Sequence, residues 1–262
     1  MTARPEDSLQ LTREGRIAVL RIRRPEKKNA FTTAMWQRLG ALCAELAQPG
    51  EPARLLRVEG GDDAFCAGAD IAEMATLLAD PAALEENNRI VAAAQLALER
   101  LPLPTLAVID GPCFGGGFGI AAACDFRLAS TRSRFAVTPS TLGLLYSVED
   151  TRRLVRLLGD SHARRLLLRG ERLDAATALA WGAVDATAEP HALPALAAQW
   201  SEGLAAASRT SMAGIKATLA LVGGDPAADE AAVRAAFSAA FHGPDFAEGA
   251  AAFLARRPPA FP

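Results

Sequence analysis

Residues 105–125 read TLAVIDGPCFGGGFGIAAACD. Five residues of β type, Thr105–Ile109, run into a glycine cluster, and the alanine-rich run Ile120–Cys124 has the composition of a buried helix. Glycine lets backbone approach a ligand closely. The first N–H groups of a helix have no intrahelical partner and sit at the positive end of its dipole. Such a turn suits a phosphate or a developing oxyanion. Spacing excludes two phosphate readings. A dinucleotide fingerprint through Gly115 and Gly117 needs glycine where the chain has Ile120, and a Walker A loop needs a lysine that this segment lacks. The ligand-free use of the same glycines is close packing of strand against helix.

A second turn of this type stands upstream, in GGDDAFCAGADIAEM at 60–74. Ala67-Gly68-Ala69 precedes a helical run that Asp70 can cap. Two such turns can aim two N–H groups at one oxygen, the arrangement that stabilises an enolate or a tetrahedral oxyanion.

Outward from these turns, strands alternate with helices for about two thirds of the chain, which predicts an α/β architecture. Ile17–Ile22 and Leu55–Val58 read as strands, Thr32–Ala47 and Pro81–Leu101 as helices. Phe126–Ala129 and Phe135–Val137 read as short strands, and helical stretches dominate from Thr151 onward. Half of the 262 residues are hydrophobic, enough for a sizeable core. The net charge of −2 and the absence of a basic stripe argue against nucleic acid as a partner. Four scattered cysteines and three histidines give no metal-ligand spacing, so no metal is expected. No apolar run reaches signal-peptide or membrane-span length, so a cytoplasmic protein without a membrane partner is expected.

RPEKKNAF (24–31), FCAGADIAEM (65–74), GPCFGGGFGIAAACDFRLAS (111–130), LRGERLDAATALAWGAVD (168–185) and EGAAAFLARRPPAF (248–261) together resemble the crotonase superfamily, the enoyl-CoA hydratase/isomerase family. The resemblance implies a spiral of ββα units over residues 1–200 and a helical oligomerisation region over 201–262. It implies homotrimers or dimers of trimers. It also implies a role in fatty acid metabolism, with a coenzyme A thioester as substrate and no separate cofactor. By the same carry-over, the N–H groups of Ala67 and Gly116 hold the thioester oxygen. Lys27, Lys28, Ala30, Ala69, Asp70 and Ile71 border the coenzyme A, and Phe118 and Ser140 complete the expected substrate-binding residues. Arg256 and Arg257 match basic positions that reach its phosphates.

The family pattern breaks where hydratases carry two glutamates. One position holds Gly119 and the other Ser140. A positioned acid or base supplies about 10²–10⁴ in rate, so efficient hydration by the usual route is not expected. Three readings follow. A displaced acid, Glu149 with Asp150 beside it, takes over proton transfer in an isomerase-like reaction. Alternatively, TPSTLGLLYS (138–147) resembles the same stretch of methylmalonyl-CoA decarboxylases, with Tyr146, the only tyrosine, orienting a leaving carboxylate. In the third reading the chain binds acyl-CoA without turnover. Cys66 has no histidine near it in sequence, so a nucleophilic role is not expected.

Overall fold

The computed structural model describes residues 8–61 and 63–261. The opening residues, read above for a leader segment, lie partly outside this range.

A repeated unit builds the molecule. Each turn of the chain sends one strand into a large sheet, a second short extended segment into a smaller layer, and then a helix across the outside. The first passage is β2 (Ile17–Ile22), then the extended residue Phe31, then α1 (Thr33–Leu46). The second is β3 (Leu55–Gly60), Cys66, then α2 (Ile71–Leu77) and α3 (Pro81–Glu99). The third is β4 (Thr105–Ile109), β5 (Pro112–Phe114) and α4 (Gly116–Ala123). The fourth is β6 (Phe126–Ser130), β7 (Arg134–Ala136), α5 (Pro139–Leu142) and α6 (Val148–Arg169). Then β8 (Arg172–Asp174), α7 (Ala175–Ala180) and β9 (Ala186–Ala188) return the chain to both layers.

With β1 (Leu9–Glu14) pairing antiparallel to β2, the large sheet has the order β1-β2-β3-β4-β6-β9, parallel from β2 onward. The small sheet is β5-β7-β8. This is the ββα spiral that the resemblance implies. Parallel strands with both faces covered need continuous apolar runs, and TLAVI at β4 is buried at all five positions. In α1, Thr32 caps the helix by accepting the Met35 N–H, and Met35, Leu39, Leu42 and Leu46 form the buried face that the spacing predicts.

Two helix starts and one domain boundary differ from the sequence-based expectation. Helix α4 begins at Gly116, not at Ile120. Glycine's poor helix propensity hides its first turn. Helix α6 begins at Val148, capped by Ser147, ahead of the expected start near Thr151, and Gly159 breaks it at a non-helical φ of 74°. Helix α8 (Leu193–Ala206) lies on the outer face of the large sheet, where Leu193, Ala197 and Ala205 pack with Leu55, Leu106 and Leu128. The boundary expected at residue 200 therefore falls inside a helix that belongs to the core. The C-terminal helices are α9 (Arg209–Val222), α10 (Glu230–Ala240) and α11 (Pro244–Leu254).

Candidate active site

The two glycine turns meet. Cys66 lies beside Cys113 in a parallel bridge, and Phe114 N–H donates to the Cys66 carbonyl at 2.9 Å. Gly117 is pressed so closely on Cys66 that a β-carbon there would overlap the Cys66 carbonyl oxygen. A β-carbon on Gly68 would stand 3.5 Å from the Gly116 nitrogen. Gly115, the residue before α4, has φ 51° and ψ −117°, a conformation open to glycine and costly for other residues. It has no side chain to cap the helix, so the first N–H groups of α4 point out of the turn unspent.

A third segment closes this constellation. Phe31 N–H donates to Gly68 O at 2.8 Å, and Asp70 N–H donates to Phe31 O at 2.8 Å. Ala67 N–H donates to Lys28 O at 3.0 Å. That bond corrects the expectation for Ala67, because its N–H is already spent on the neighbouring loop. The Ala69 N–H has no hydrogen-bond acceptor among the described residues, and Ala69 is exposed. The unspent donors at this junction include one from each turn, the amides of Ala69 and Gly116.

Asn29 holds the loop that makes the difference. It is fully buried, with φ 59°, and its Nδ2 donates to Gly61 O at 2.8 Å and Ala64 O at 2.6 Å. Its Oδ1 accepts the Arg24 N–H at 2.7 Å. Sequence reading passed over Asn29; its one local signal is that asparagine tolerates the left-handed region better than most residues. Lys27 and Lys28 stay exposed beside it, while Ala30 is buried.

Asp70 turns inward. Its Oδ1 accepts the N–H groups of Ala72 and Glu73 at the start of α2, and its Oδ2 lies 2.7 Å from Arg24 Nη1. Its carboxylate thus shapes the turn, and the surface there is offered by Ala69 and Ile71, the latter 69% exposed. Arg257 is held in a two-point pair with Glu248 on α11.

The acyl-side expectations divide. Phe118 is fully buried and meets Phe135 edge-on at 5.9 Å, so its side chain is core and does not line the turn. Ser140 is exposed on α5, and its hydroxyl donates to Leu168 O near the end of α6. Glu149 is exposed in the first turn of α6. Successive residues on a helix are 100° apart, and it is Asp150 that faces inward, 7% exposed. The Tyr146 hydroxyl is buried and unpartnered. Burial raises the Tyr146 phenol well above its ordinary value, so it stays protonated and can only donate or accept a hydrogen bond.

Above Gly119 stands Gln95 of α3, a residue that nothing in its local sequence marks. Its Nε2 fills the place where a β-carbon at 119 would begin, and Asp150 Oδ1 would be 3.3 Å from that carbon. Cys66 is fully buried and its thiol is pushed up to about 12 by desolvation, which leaves no thiolate near the turns. Among the described residues no group of three or more His, Cys, Asp or Glu is placed to hold a metal ion. A cleft of about 1560 Å³ lies elsewhere, beside α9 and α10, and its walls include Asp125 and Lys216.

Comparison with known proteins identifies the family and the fold. Residues 12–262 match the family model described as enoyl-CoA hydratase/isomerase, and the chain belongs to that family. An enoyl-CoA isomerase/hydratase of Mycosarcoma maydis is 34% identical over 69% of this chain and 67% of its own length. A short-chain-enoyl-CoA hydratase of Clostridium acetobutylicum is 31% identical over 70% of this chain and 69% of its own. Among solved structures, an enoyl-CoA hydratase/carnithine racemase from Magnetospirillum magneticum superposes with a TM-score of 0.92 at 30% identity, covering 98% of this chain and 96% of that one. The fold is the crotonase fold.

Proposed function

We infer that the protein is an acyl-CoA thioester enzyme that holds the thioester oxygen between the N–H groups of Ala69 and Gly116. The observation that carries this reading is that these two amides, one from each turn, have no acceptor among the described residues, while Ala67 N–H is bound to Lys28 O. Preorganised donors of this kind, aimed where negative charge develops, contribute about 3–4 kcal/mol each to stabilising an enolate. Lys27 and Lys28 supply positive charge beside the turn for the phosphates of coenzyme A, and Ile71 an apolar surface for its nucleotide. Proton transfer at the α-carbon is the reaction class. The substrate's acyl group meets the chain near Gly119, where no glutamate stands.

One observation favours a second reading, loss of CO₂ from a malonyl-type thioester. The Tyr146 hydroxyl is buried with no partner and could donate to a carboxylate. The C-terminal helices expose Ile215, Leu219, Val222, Phe237, Phe241 and Phe253, an apolar surface suited to contact between copies of the chain in a trimer. The test is a panel of crotonyl-CoA, a 3-enoyl-CoA and methylmalonyl-CoA, with turnover and binding followed separately. Turnover of either enoyl ester supports the first reading, turnover of methylmalonyl-CoA alone supports the second, and binding without turnover shows a protein that only holds the thioester.

A further inference from the structure

The polar side chains behind the second turn of α4 are not used by the function above. Gly119 lies three residues beyond Gly116, on the same face of the helix. Over it converge Gln95 from α3 and Asp150 from α6. Arg153 Nη1 ties the two, donating to Asp150 Oδ1 at 2.8 Å and to Gln95 Oε1 at 3.1 Å. Ser147 Oγ donates to Asp150 Oδ2 at 2.9 Å. Tyr146, in the loop that leads into α6, packs on the hydrophobic core with its hydroxyl buried. Gln95 is 2% exposed and Arg153 3%.

Three atoms of this cluster are buried without a partner among the described residues: Gln95 Nε2, Tyr146 Oη and Arg153 Nη2. An unpaired buried polar atom costs about 1–3 kcal/mol. Three in one cluster, one helical turn from a pair of free amide donors, mark a place made to meet a polar or reacting group.

We propose that Asp150 is the proton-transfer residue of this site, with Tyr146 and Gln95 as positioning residues that hold the reacting group against it. The proposal rests on the thioester reading above. In the step, the Asp150 carboxylate takes a proton from the acyl α-carbon. The C–H electron pair forms a double bond to the thioester carbon, and the carbonyl pair moves to the oxygen between Ala69 and Gly116. Return of the proton to a carbon of the acyl chain restores the carboxylate, so nothing else is consumed. Glu149 faces solvent and cannot take this part.

The surroundings suit a base. Burial raises the Asp150 carboxyl above its ordinary value, and Arg153 and Ser147 offset this in part. A base moved toward the working pH transfers protons more effectively. The groups that face it are Ser147, Glu149 and Arg153 from its own element, Gln95 and Glu99 from α3, and Tyr146 from the loop. Glu99 is engaged with Arg153 at 2.7 Å.

The test is exchange of the α-protons of butyryl-CoA in D₂O, with butyryl-CoA affinity measured by calorimetry on the same samples. The wild type should exchange, with a rate that rises with pH and then levels. Asp150→Asn should lose about 100-fold in exchange while affinity stays within about threefold. Tyr146→Phe should lose a smaller factor at unchanged affinity. Exchange in Asp150→Asn within about threefold of wild type overturns the proposal, as does wild-type binding without exchange. Should Asp150→Asn not fold, Asp150→Ser is measured in its place, and exchange within about threefold of wild type overturns the proposal. Absence of butyryl-CoA binding by the wild type removes instead the thioester reading beneath it.

Discussion

Gln95 Nε2 occupies the position from which a side chain at residue 119 would grow. Gly119 therefore leaves room for the end of the Gln95 side chain. Gly119→Ala should destabilise by about 1–3 kcal/mol through overpacking. Gln95→Ala opens that space, so the double variant should be less destabilised than the two single changes sum to, a coupling readable from urea unfolding midpoints. Strict additivity would mean that the two residues do not share the space.

The junction of the turns should be less tolerant still at Gly117. A β-carbon there overlaps the Cys66 carbonyl and comes 2.7 Å from the Cys66 β-carbon. Backbone cannot swing aside as a side chain can. Gly117→Ala is expected to lower stability by about 2–3 kcal/mol and to weaken acyl-CoA binding by separating the two turns. Thermal melts and calorimetry check the two halves independently.

Tyr146→Phe is expected to leave stability unchanged or to raise it by up to about 1 kcal/mol, because it removes a buried hydroxyl that has no partner. A clear loss of stability would show that the hydroxyl is hydrogen-bonded in solution.

Asp70 predicts an acid-side effect. Burial would raise its carboxyl, but the Arg24 guanidinium and the N–H groups of Glu73 and Ala72 outweigh that, and the net shift is downward. A folded-state value below the unfolded one means that the carboxylate adds stability above the unfolded pKa of about 3.9. That stability disappears as pH falls through the folded value. Asp70→Ala should cost about 1–2 kcal/mol at neutral pH, mainly through loss of the helix cap. The difference from wild type should shrink as pH falls below the unfolded pKa of about 3.9, as chemical unfolding at neutral and acid pH would show.

Much of this was legible in the chain. The two glycine turns and the residues Gly119 and Ser140 stand in the sequence, and the five expected strands, the buried one at 105–109 among them, reappear in the fold. The identity of the free amide was not legible. In FCAGAD every residue brings an N–H, and which one stays unspent is decided by pairing with Lys28–Phe31, a contact across more than 35 residues. The choice between Glu149 and Asp150 was hidden for a local reason. Ser147 starts α6 earlier than the apolar spacing suggests, and that start fixes which acid turns inward. Gln95 sits on a helix whose exposed face is also polar, so only the packing of α3 against α4 reveals it.

The central claim is the pairing of Ala69 and Gly116 around one oxygen, and a crystal structure with a bound acyl-CoA tests it most directly. The account predicts the thioester oxygen within about 3.2 Å of both nitrogens, with the Ala67–Lys28 hydrogen bond intact. An oxygen more than about 3.5 Å from both, or one held by an Ala67 N–H released from Lys28, would contradict it.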